Sequence, residues 1–349
     1  MAGLKLPLFP KLKKKFPETP NSAQKYRVLA ATIVLCLALL LVTCLSLVSG
    51  AVPMTANQLW QALTHQGDSL YQTIVWDLRL PRIIAAILVG SSLGMAGSML
   101  QGMLRNGLAD PFLLNISAGA GLVAITVISL GLLLSWVPLF AWIGSLLTTI
   151  FVYLLAKRAD GISVERLILG GVAVSSLFGS IQSVLLLLTE DGRIQTALSW
   201  LIGSLNGRGW VEVNATGWYI GIALLLGCLL ARNLNLLSLG DDLAVGLGVD
   251  ITRSRMMIGG VAALLSASAV SIAGLIGFVG LIVPHGIRLL VGTDYRALLP
   301  LSAVGGALVL TFADFLSRLG AVELPVGAVT ALFGSPLFIW LLYQRQSMT

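Results

Sequence analysis

Residues 28–48 read VLAATIVLCLALLLVTCLSLV and contain no charged side chain. A single helix of about 20 such residues spans the roughly 30 Å hydrocarbon core of a bilayer. Comparable apolar runs recur along the 349-residue chain, in which 57% of residues are hydrophobic and only 11% are charged. The mean hydropathy of +0.93 exceeds what a soluble domain needs to fill its core. We therefore predict an all-α, polytopic integral membrane protein.

The composition excludes several classes of protein as descriptions of the whole chain. Soluble enzymes, nucleic-acid-binding proteins and disulfide-stabilised secreted proteins do not carry such runs. An outer-membrane barrel would alternate apolar and polar residues along strands of about 10 residues, and no such alternation is sustained here. The three cysteines, Cys36, Cys44 and Cys228, each lie inside an apolar run, which favours packing over a disulfide. The first run lacks a small-x-small cleavage site, so we predict an uncleaved span.

Apolar length predicts ten transmembrane spans in a single transmembrane domain at residues 28–345. The spans lie at residues 28–50, 80–103, 112–131, 134–156, 165–189, 212–231, 257–274, 275–292, 298–317 and 327–343. A basic tail at residues 1–27 precedes them. With both termini cytoplasmic, 17 of the 22 Lys and Arg residues fall on the inner side, as the positive-inside rule requires. We therefore predict both termini inside.

Glycine is unusually frequent, with 38 residues, and many glycines share small-residue spacing within a span, as Gly90, Gly94 and Gly97 do. Small residues at this spacing let helix backbones approach closely in lipid. Alternatively, some of these glycines let helices shift or unwind around a translocation path. Both interpretations are typical of a compact transporter bundle.

The sequence offers few groups that could supply energy for transport. No Gly-x-x-x-x-Gly-Lys phosphate loop is present, so the chain does not bind ATP by that device. Ion-coupled carriers usually place carboxylates or histidines at membrane depth, yet away from the span ends the spans hold only Asp314, with Glu165 and His285 near inner ends. Asp314 is predicted to pair with Arg318, four residues on along the same helix. The energy source is therefore expected to lie outside the chain.

An ordered series of short motifs carries a family resemblance. The motifs are Arg79–Arg82, Leu88–Gly90, Ala96–Gly97, Gln101, Arg105–Pro111, Trp200–Leu205, Leu234–Val249, Gly274–Arg288, Asp314–Arg318, Glu323–Gly327 and Gly334–Phe338. Together they resemble the permease subunits of type II ABC importers, which serve iron-siderophore, haem and cobalamin uptake. The resemblance runs from about Trp76 to Arg345. It departs from the family pattern at Gly107, where the family commonly has Pro, and at Asn115, where it commonly has Gly.

The resemblance implies a set of partners. These are a second permease, identical or similar, two cytoplasmic ATPase subunits, a periplasmic or lipid-anchored substrate-binding protein, and membrane lipid, with no nucleic acid. ATP and Mg would belong to the ATPase, so the chain itself would be neither an enzyme nor a cofactor-binding protein. The expected location is the bacterial cytoplasmic (inner) membrane. The expected cargo is an iron(III)-siderophore, because iron importers are the largest branch of the family. Cobalamin or haem import and, less favoured, an ion-coupled secondary carrier remain alternatives.

The loop at about residues 234–250 is the first candidate site. Asp241 and Asp242 follow Gly240, where carboxylates favour the positive end of a short helix. Leu243 and Leu247, four apart, would form one apolar face, and Ala244 is small enough to lie in a contact. The residues that the resemblance assigns to a coupling helix on the ATPase are Asp241, Asp242, Leu243, Ala244, Leu247 and Gly248. The alternative is an ordinary capped loop.

Two further sites rest on the resemblance. A cytoplasmic gate is expected at Ser163, Val164 and Glu165, although Glu165 and Arg166 could instead form a plain interfacial pair.

Arg79, Arg82 and Arg318 flank spans at their predicted outer ends. Because Arg79 and Arg82 are three apart, they are expected on one face of a helix start. In the family, the matching arginines receive acidic residues of the substrate-binding protein. The alternatives are snorkelling toward lipid phosphates and pairing with Asp77 and Asp314.

Overall fold

The computed structural model of the chain describes residues 22–50, 52–131, 134–158, 161–162, 164–320 and 322–346. Most of the basic tail predicted at residues 1–27 therefore lies outside the described residues. The α-helices are α1 (Ser22–Val48), α2 (Ala56–Leu63), α3 (Ser69–Thr73), α4 (Leu80–Met103), α5 (Ile116–Leu130), α6 (Val137–Ala156), α7 (Val164–Leu187), α8 (Asp191–Ile202), α9 (Trp210–Leu229), α10 (Ala231–Leu237), α11 (Asp241–Gly246), α12 (Ile251–Ala273), α13 (Val279–Val291), α14 (Tyr295–Ser317) and α15 (Val326–Gln346).

Short irregular elements connect some of these helices. A π-helical segment, Ile74–Arg79, joins α3 to α4 without a break, and 3-10 turns at Pro111–Leu114 and Leu134–Trp136 precede α5 and α6. Two strands of two residues each, β1 (Lys157–Arg158) and β2 (Gly161–Ile162), pair antiparallel between α6 and α7.

Each of the ten predicted spans coincides with a helix. Within the described ranges, seven helices are long and apolar enough to cross a membrane: Gln24–Val48, Ser69–Met103, Val137–Ala156, Leu169–Leu187, Trp210–Leu229, Ile251–Ala273 and Tyr295–Ser317. Three apolar helices are shorter, at Ile116–Leu130, Val279–Val291 and Val326–Trp340. The helical, multi-pass architecture is thus confirmed. The count of ten crossings and the side on which the termini lie stay predictions.

Helix α4 is the centre of the bundle. In the most apolar window of Ser69–Met103, 83% of residues are buried, whereas only 6% are buried in the corresponding window of α1. Helix α4 packs against α9, α12, α13 and α14. Protein therefore encloses α4, whereas α1 lies at the periphery of the bundle.

Glycines set how closely α4 meets its neighbours. Gly90 lies against Gly306 of α14, and Gly97 lies against Gly280 of α13. A Cβ added at Gly90, Gly94 or Gly97 would come within 3.0 Å of a backbone oxygen of the facing helix. These helices touch backbone to backbone, which requires small residues. The close-packing interpretation of the glycine spacing is confirmed at these positions.

A junction of three chain segments forms where α8 and α12 end and α15 begins. The Ser204 N–H donates to the Ala273 carbonyl at 2.8 Å, and the Gly327 N–H donates to the Gly203 carbonyl at 3.0 Å. Gly203 and Gly274 have φ values of +85° and +71°, which favour glycine. We call this arrangement the glycine junction.

Helix α8 is an element that apolar length did not predict. It lies between the fifth and sixth spans and carries polar residues through its first turns, including Arg193, which pairs with Glu190 at 3.4 Å. Its buried face consists of Ala197 and Trp200. Because α8 has only 12 residues and is polar through its first turns, it is too short to be predicted as a span from apolar length.

Gly90→Ala should weaken the packing of α4 on α14, because the new Cβ meets the backbone of Gly306, which cannot rotate away. Overpacking of a tight interface costs about 1–3 kcal/mol. The matched control is Gly221→Ala in α9, where a Cβ would meet no described atom within 4 Å. Thermal unfolding of the purified variants should show a lower Tm for Gly90→Ala only. Equal Tm values for the two variants would contradict the backbone contact.

Candidate docking and coupling sites

Four charged side chains meet at the start of α4 and form the Arg82 cluster, defined as Arg82, Asp314, Arg318 and Glu323. Arg82 Nε and Nη2 donate to Asp314 Oδ1 at 3.0 and 2.8 Å. Arg82 Nη1 pairs with Glu323 Oε1. Arg318 Nε lies 3.3 Å from Asp314 Oδ2, so the predicted Asp314–Arg318 pair is confirmed.

Burial grades the members of the Arg82 cluster. The side chain of Asp314 is 1% exposed, those of Arg318 and Arg82 are 10% and 12% exposed, and that of Glu323 is 34% exposed. Burial lowers the pKa of Arg318, and the charge of Asp314 acts in the opposite direction. A buried carboxylate needs such cationic partners, because an unpaired charge in this environment is costly. The helix contact between α4 and α14 supplies Arg82 to Asp314.

Arg79 takes a separate course. Its guanidinium donates to the carbonyls of Leu47, Val48 and Val52 at the end of α1, and Arg79 is 6% exposed. Arg79 ends the π-helical segment, in which the repeat is wider than that of an α-helix. Arg79 and Arg82 thus have different partners, and a common docking face for the two stays a prediction. Arg79 binds the end of α1, and Arg82 binds α14.

Helix α11 occupies the opposite end of α4. Gly240, at φ +112°, precedes it, and Asp241 in its first turn binds two arginines. Arg255 Nη2 of α12 lies 3.1 Å from Asp241 Oδ2, and Arg105, just after α4, pairs with Asp241 Oδ1. Asp241 thus ties α11 to both α4 and α12.

The outward face of α11 is apolar. Leu243, Val245 and Leu247 are 61%, 59% and 60% exposed, and Asp242 and Gly248 are exposed as well. Leu243 and Leu247 therefore form part of an exposed apolar surface, which we call the α11 face.

Ala244 does not reach the α11 face. It is fully buried within the chain, because it turns toward the body of the protein while its neighbours turn outward. The expectation that Ala244 lies in an open contact is corrected accordingly. A large side chain at this position would disturb the seating of α11 itself.

The predicted gate is only partly described. Ser163 lies outside the described residues, and Val164 and Glu165 begin α7 without described side chains. Arg166 does have an interaction partner. The gate at these residues stays a prediction.

Several site residues escaped sequence reasoning. Glu323 belongs to the motif Glu323–Gly327, but its partner Arg82 lies far away in the sequence. The partners of Asp241 also lie outside its own helix: Arg105 follows α4, and Arg255 is in α12. No local spacing reveals such pairs. An ion pair within one helix, such as Asp314 with Arg318, is the kind that spacing does reveal.

The chain matches a known protein family over most of its length. Residues 38–344 match the model of the FecCD transport family. The chain belongs to the FecCD transport family. The resemblance of this FecCD chain to permease subunits of type II ABC importers is thereby confirmed.

Curated relatives agree with the family. The chain is 41% identical to the cobalamin import system permease protein BtuC of Halobacterium salinarum, over 86% of this chain and 82% of that protein. It is 38% identical to the hemin transport system permease protein HmuU of Yersinia pestis, over 85% and 90%. It is 36% identical to the Fe(3+)-citrate import system permease protein YfmE of Bacillus subtilis, over 92% and 97%.

A solved structure shares the FecCD chain's fold. It is a metal-chelate type ABC transporter in an inward-facing conformation, with a TM-score of 0.81 and 30% identity, and the match covers 89% of this chain and 98% of that one. The fold comparison therefore extends over nearly the whole length of both chains.

Asp241→Asn should loosen α11, because it removes the negative charge that holds Arg105 and Arg255. Partly exposed ion pairs contribute up to about 1 kcal/mol in sum, so amide hydrogen exchange across residues 240–248 should accelerate about fivefold. Asp242→Asn is the matched control, since it removes the same charge from the neighbouring exposed position. If both variants exchange at the wild-type rate, Asp241 does not anchor α11.

Proposed function

We propose that the chain is the permease subunit of an ATP-driven importer that translocates an iron(III)-siderophore complex across the bacterial inner membrane. The family match over residues 38–344 carries the importer class. For the cargo, support comes from relatives named for Fe(3+)-citrate import and for probable siderophore transport, at 36–38% identity. Cobalamin is the second candidate, because a relative named for cobalamin import is 41% identical.

The proposed complex contains two permease chains, two ATPase subunits that bind ATP and Mg, and one substrate-binding protein. The two candidate surfaces of the chain support this arrangement by their separation. Arg82 lies at the start of α4 and Arg105 just past its end, about 35 Å apart at 1.5 Å per residue. One surface therefore serves each side of the membrane. The Arg82 cluster faces the substrate-binding protein, and the α11 face meets the ATPase in the cytoplasm.

Coupling follows a chain of contacts. When the ATPase subunits close, they move α11, and Asp241 passes the displacement to Arg105 and Arg255. Arg105 and Arg255 belong to α4 and α12 or their ends, and these two helices pack closely together in the bundle. Because α4 contacts α14 backbone to backbone, the displacement reaches the Arg82 cluster at the other end. The gate at Ser163, Val164 and Glu165 would open and close between the two permease chains.

Leu243→Glu with Leu247→Glu should weaken association with the ATPase by about tenfold or more, because two exposed leucines lose their burial in the contact. The measurement is copurification of the co-expressed ATPase with tagged permease. Leu319→Glu with Val322→Glu is the matched control, since both residues are exposed and follow α14 at the Arg82 end. Full retention of the ATPase by the α11 double variant would refute the assignment of the α11 face.

The cargo is tested by uptake into proteoliposomes that contain the permease, its ATPase and its substrate-binding protein. Radiolabelled ferric siderophore, haemin and cyanocobalamin are supplied separately, with ATP present or absent on the ATPase side. We expect ATP-dependent uptake of the ferric siderophore only. Uptake of cyanocobalamin alone would replace the proposed cargo with the second candidate. Uptake that follows an imposed proton or sodium gradient without ATP would reject the importer class.

A further inference from the structure

The Arg82 cluster is electrically neutral as it stands. Two arginines, Arg82 and Arg318, balance two carboxylates, Asp314 and Glu323. A neutral cluster attracts an acidic protein only weakly, since charge complementarity steers association. Because Arg82 is already paired with both carboxylates, an acidic partner can pair with Arg82 itself only where one of them gives way.

The two carboxylates differ in how easily they can leave. Asp314 is 1% exposed, and both edges of its carboxylate face arginines. Removing it would strand two buried cations, which is strongly unfavourable. Glu323 is 34% exposed and pairs with the Nη1 side of Arg82. Glu323 also lies in the short connection between α14 and α15 rather than inside a helix. Glu323 is the member that can be displaced.

The internal arrangement leaves one donor unused. Among the described residues, Arg318 Nη2 is buried and has no hydrogen-bond acceptor, although the side chain of Arg318 is nine-tenths buried. Buried donors are usually satisfied, and an unsatisfied one costs about 1–3 kcal/mol. The pairing of Glu323 with Arg82 therefore leaves Arg318 Nη2 without a hydrogen-bond acceptor. Asp314 Oδ2 is likewise buried without a hydrogen-bond partner, so the hydrogen bonding of the Arg82 cluster is incomplete in this arrangement.

We propose that Glu323 is an internal substitute for an acidic side chain of the substrate-binding protein. In the free permease it occupies Nη1 of Arg82, and on docking the carboxylate of the partner replaces it there. Glu323 thereby lowers the affinity of the docking surface for the substrate-binding protein. Between docking events it keeps Nη1 of Arg82 paired. This inference rests on the proposed function, because it requires a substrate-binding protein that docks at the Arg82 end.

The exchange keeps the charge of the buried arginines compensated throughout. Before docking Arg82 is paired with Asp314 and Glu323, and after docking it is paired with Asp314 and the carboxylate of the partner. Because Glu323 is partly exposed, it regains water once it leaves.

Glu323→Gln tests the proposal, because it should raise affinity rather than lower it. The permease–ATPase complex in lipid nanodiscs is titrated with its substrate-binding protein, and Kd is measured at low and at high salt. We expect binding about fivefold tighter than wild type at low salt. The gain should shrink as salt rises, because the cluster now carries a net positive charge. A gain of affinity cannot arise from misfolding.

Glu190→Gln is the matched control. Glu190 is also exposed, pairs with an arginine, Arg193, and lies on the predicted outer side. Glu190→Gln removes the same charge away from the cluster and should leave Kd within about twofold of wild type.

Three results would overturn the inference. The first is wild-type or weaker affinity in Glu323→Gln, and the second is an equal gain in Glu190→Gln, which would show a general charge effect. The third is tighter binding that does not depend on salt. If the wild-type complex bound no substrate-binding protein at all, the proposed function itself would fail, and that outcome is distinct from the other three.

Discussion

The contact between the backbones of α4 and α14 is the constraint on which the rest of the structure depends. Gly90 and Gly94 allow α14 to approach so closely that no Cβ would fit between the helices. In lipid, such approach replaces the hydrophobic effect as the source of helix association. It also brings Arg82 into contact with Asp314, although these two residues are 232 positions apart in the sequence. The packing of small residues and the pairing of buried charges are therefore one arrangement.

Charge placement follows from this packing. Asp314 is almost fully buried and would be costly without cations on two sides. Arg318 comes from its own helix and Arg82 from α4. At the other end of α4, Asp241 is held by two arginines in the same manner but with greater exposure. The buried cluster fixes the helices, and the exposed pairs attach a surface helix to them.

The sequence predicted what depends on local properties. All ten spans coincide with helices, because apolar length is a local property. The Asp314–Arg318 pair was also predictable from its spacing along one helix. Pairing of Arg82 with Asp314 was an open alternative in the sequence. The main-chain partners of Arg79, the inward orientation of Ala244 and the amphipathic helix α8 were not predictable, because each is determined by segments distant in sequence. The short connection that carries Glu323 is another such case, since its significance depends on Arg82.

The glycine junction has a consequence for how such a chain can diverge. Its segments are joined through main-chain donors and acceptors, Ser204 to Ala273 and Gly327 to Gly203. Such bonds do not depend on which side chains flank them. The hydrogen bonds themselves therefore tolerate a change of the flanking side chains, whereas Gly203, Gly274 and Gly327 cannot be replaced, since a methyl group at any of them would strike a neighbouring carbonyl. Sequence divergence leaves the glycine junction intact as long as these three positions remain glycine.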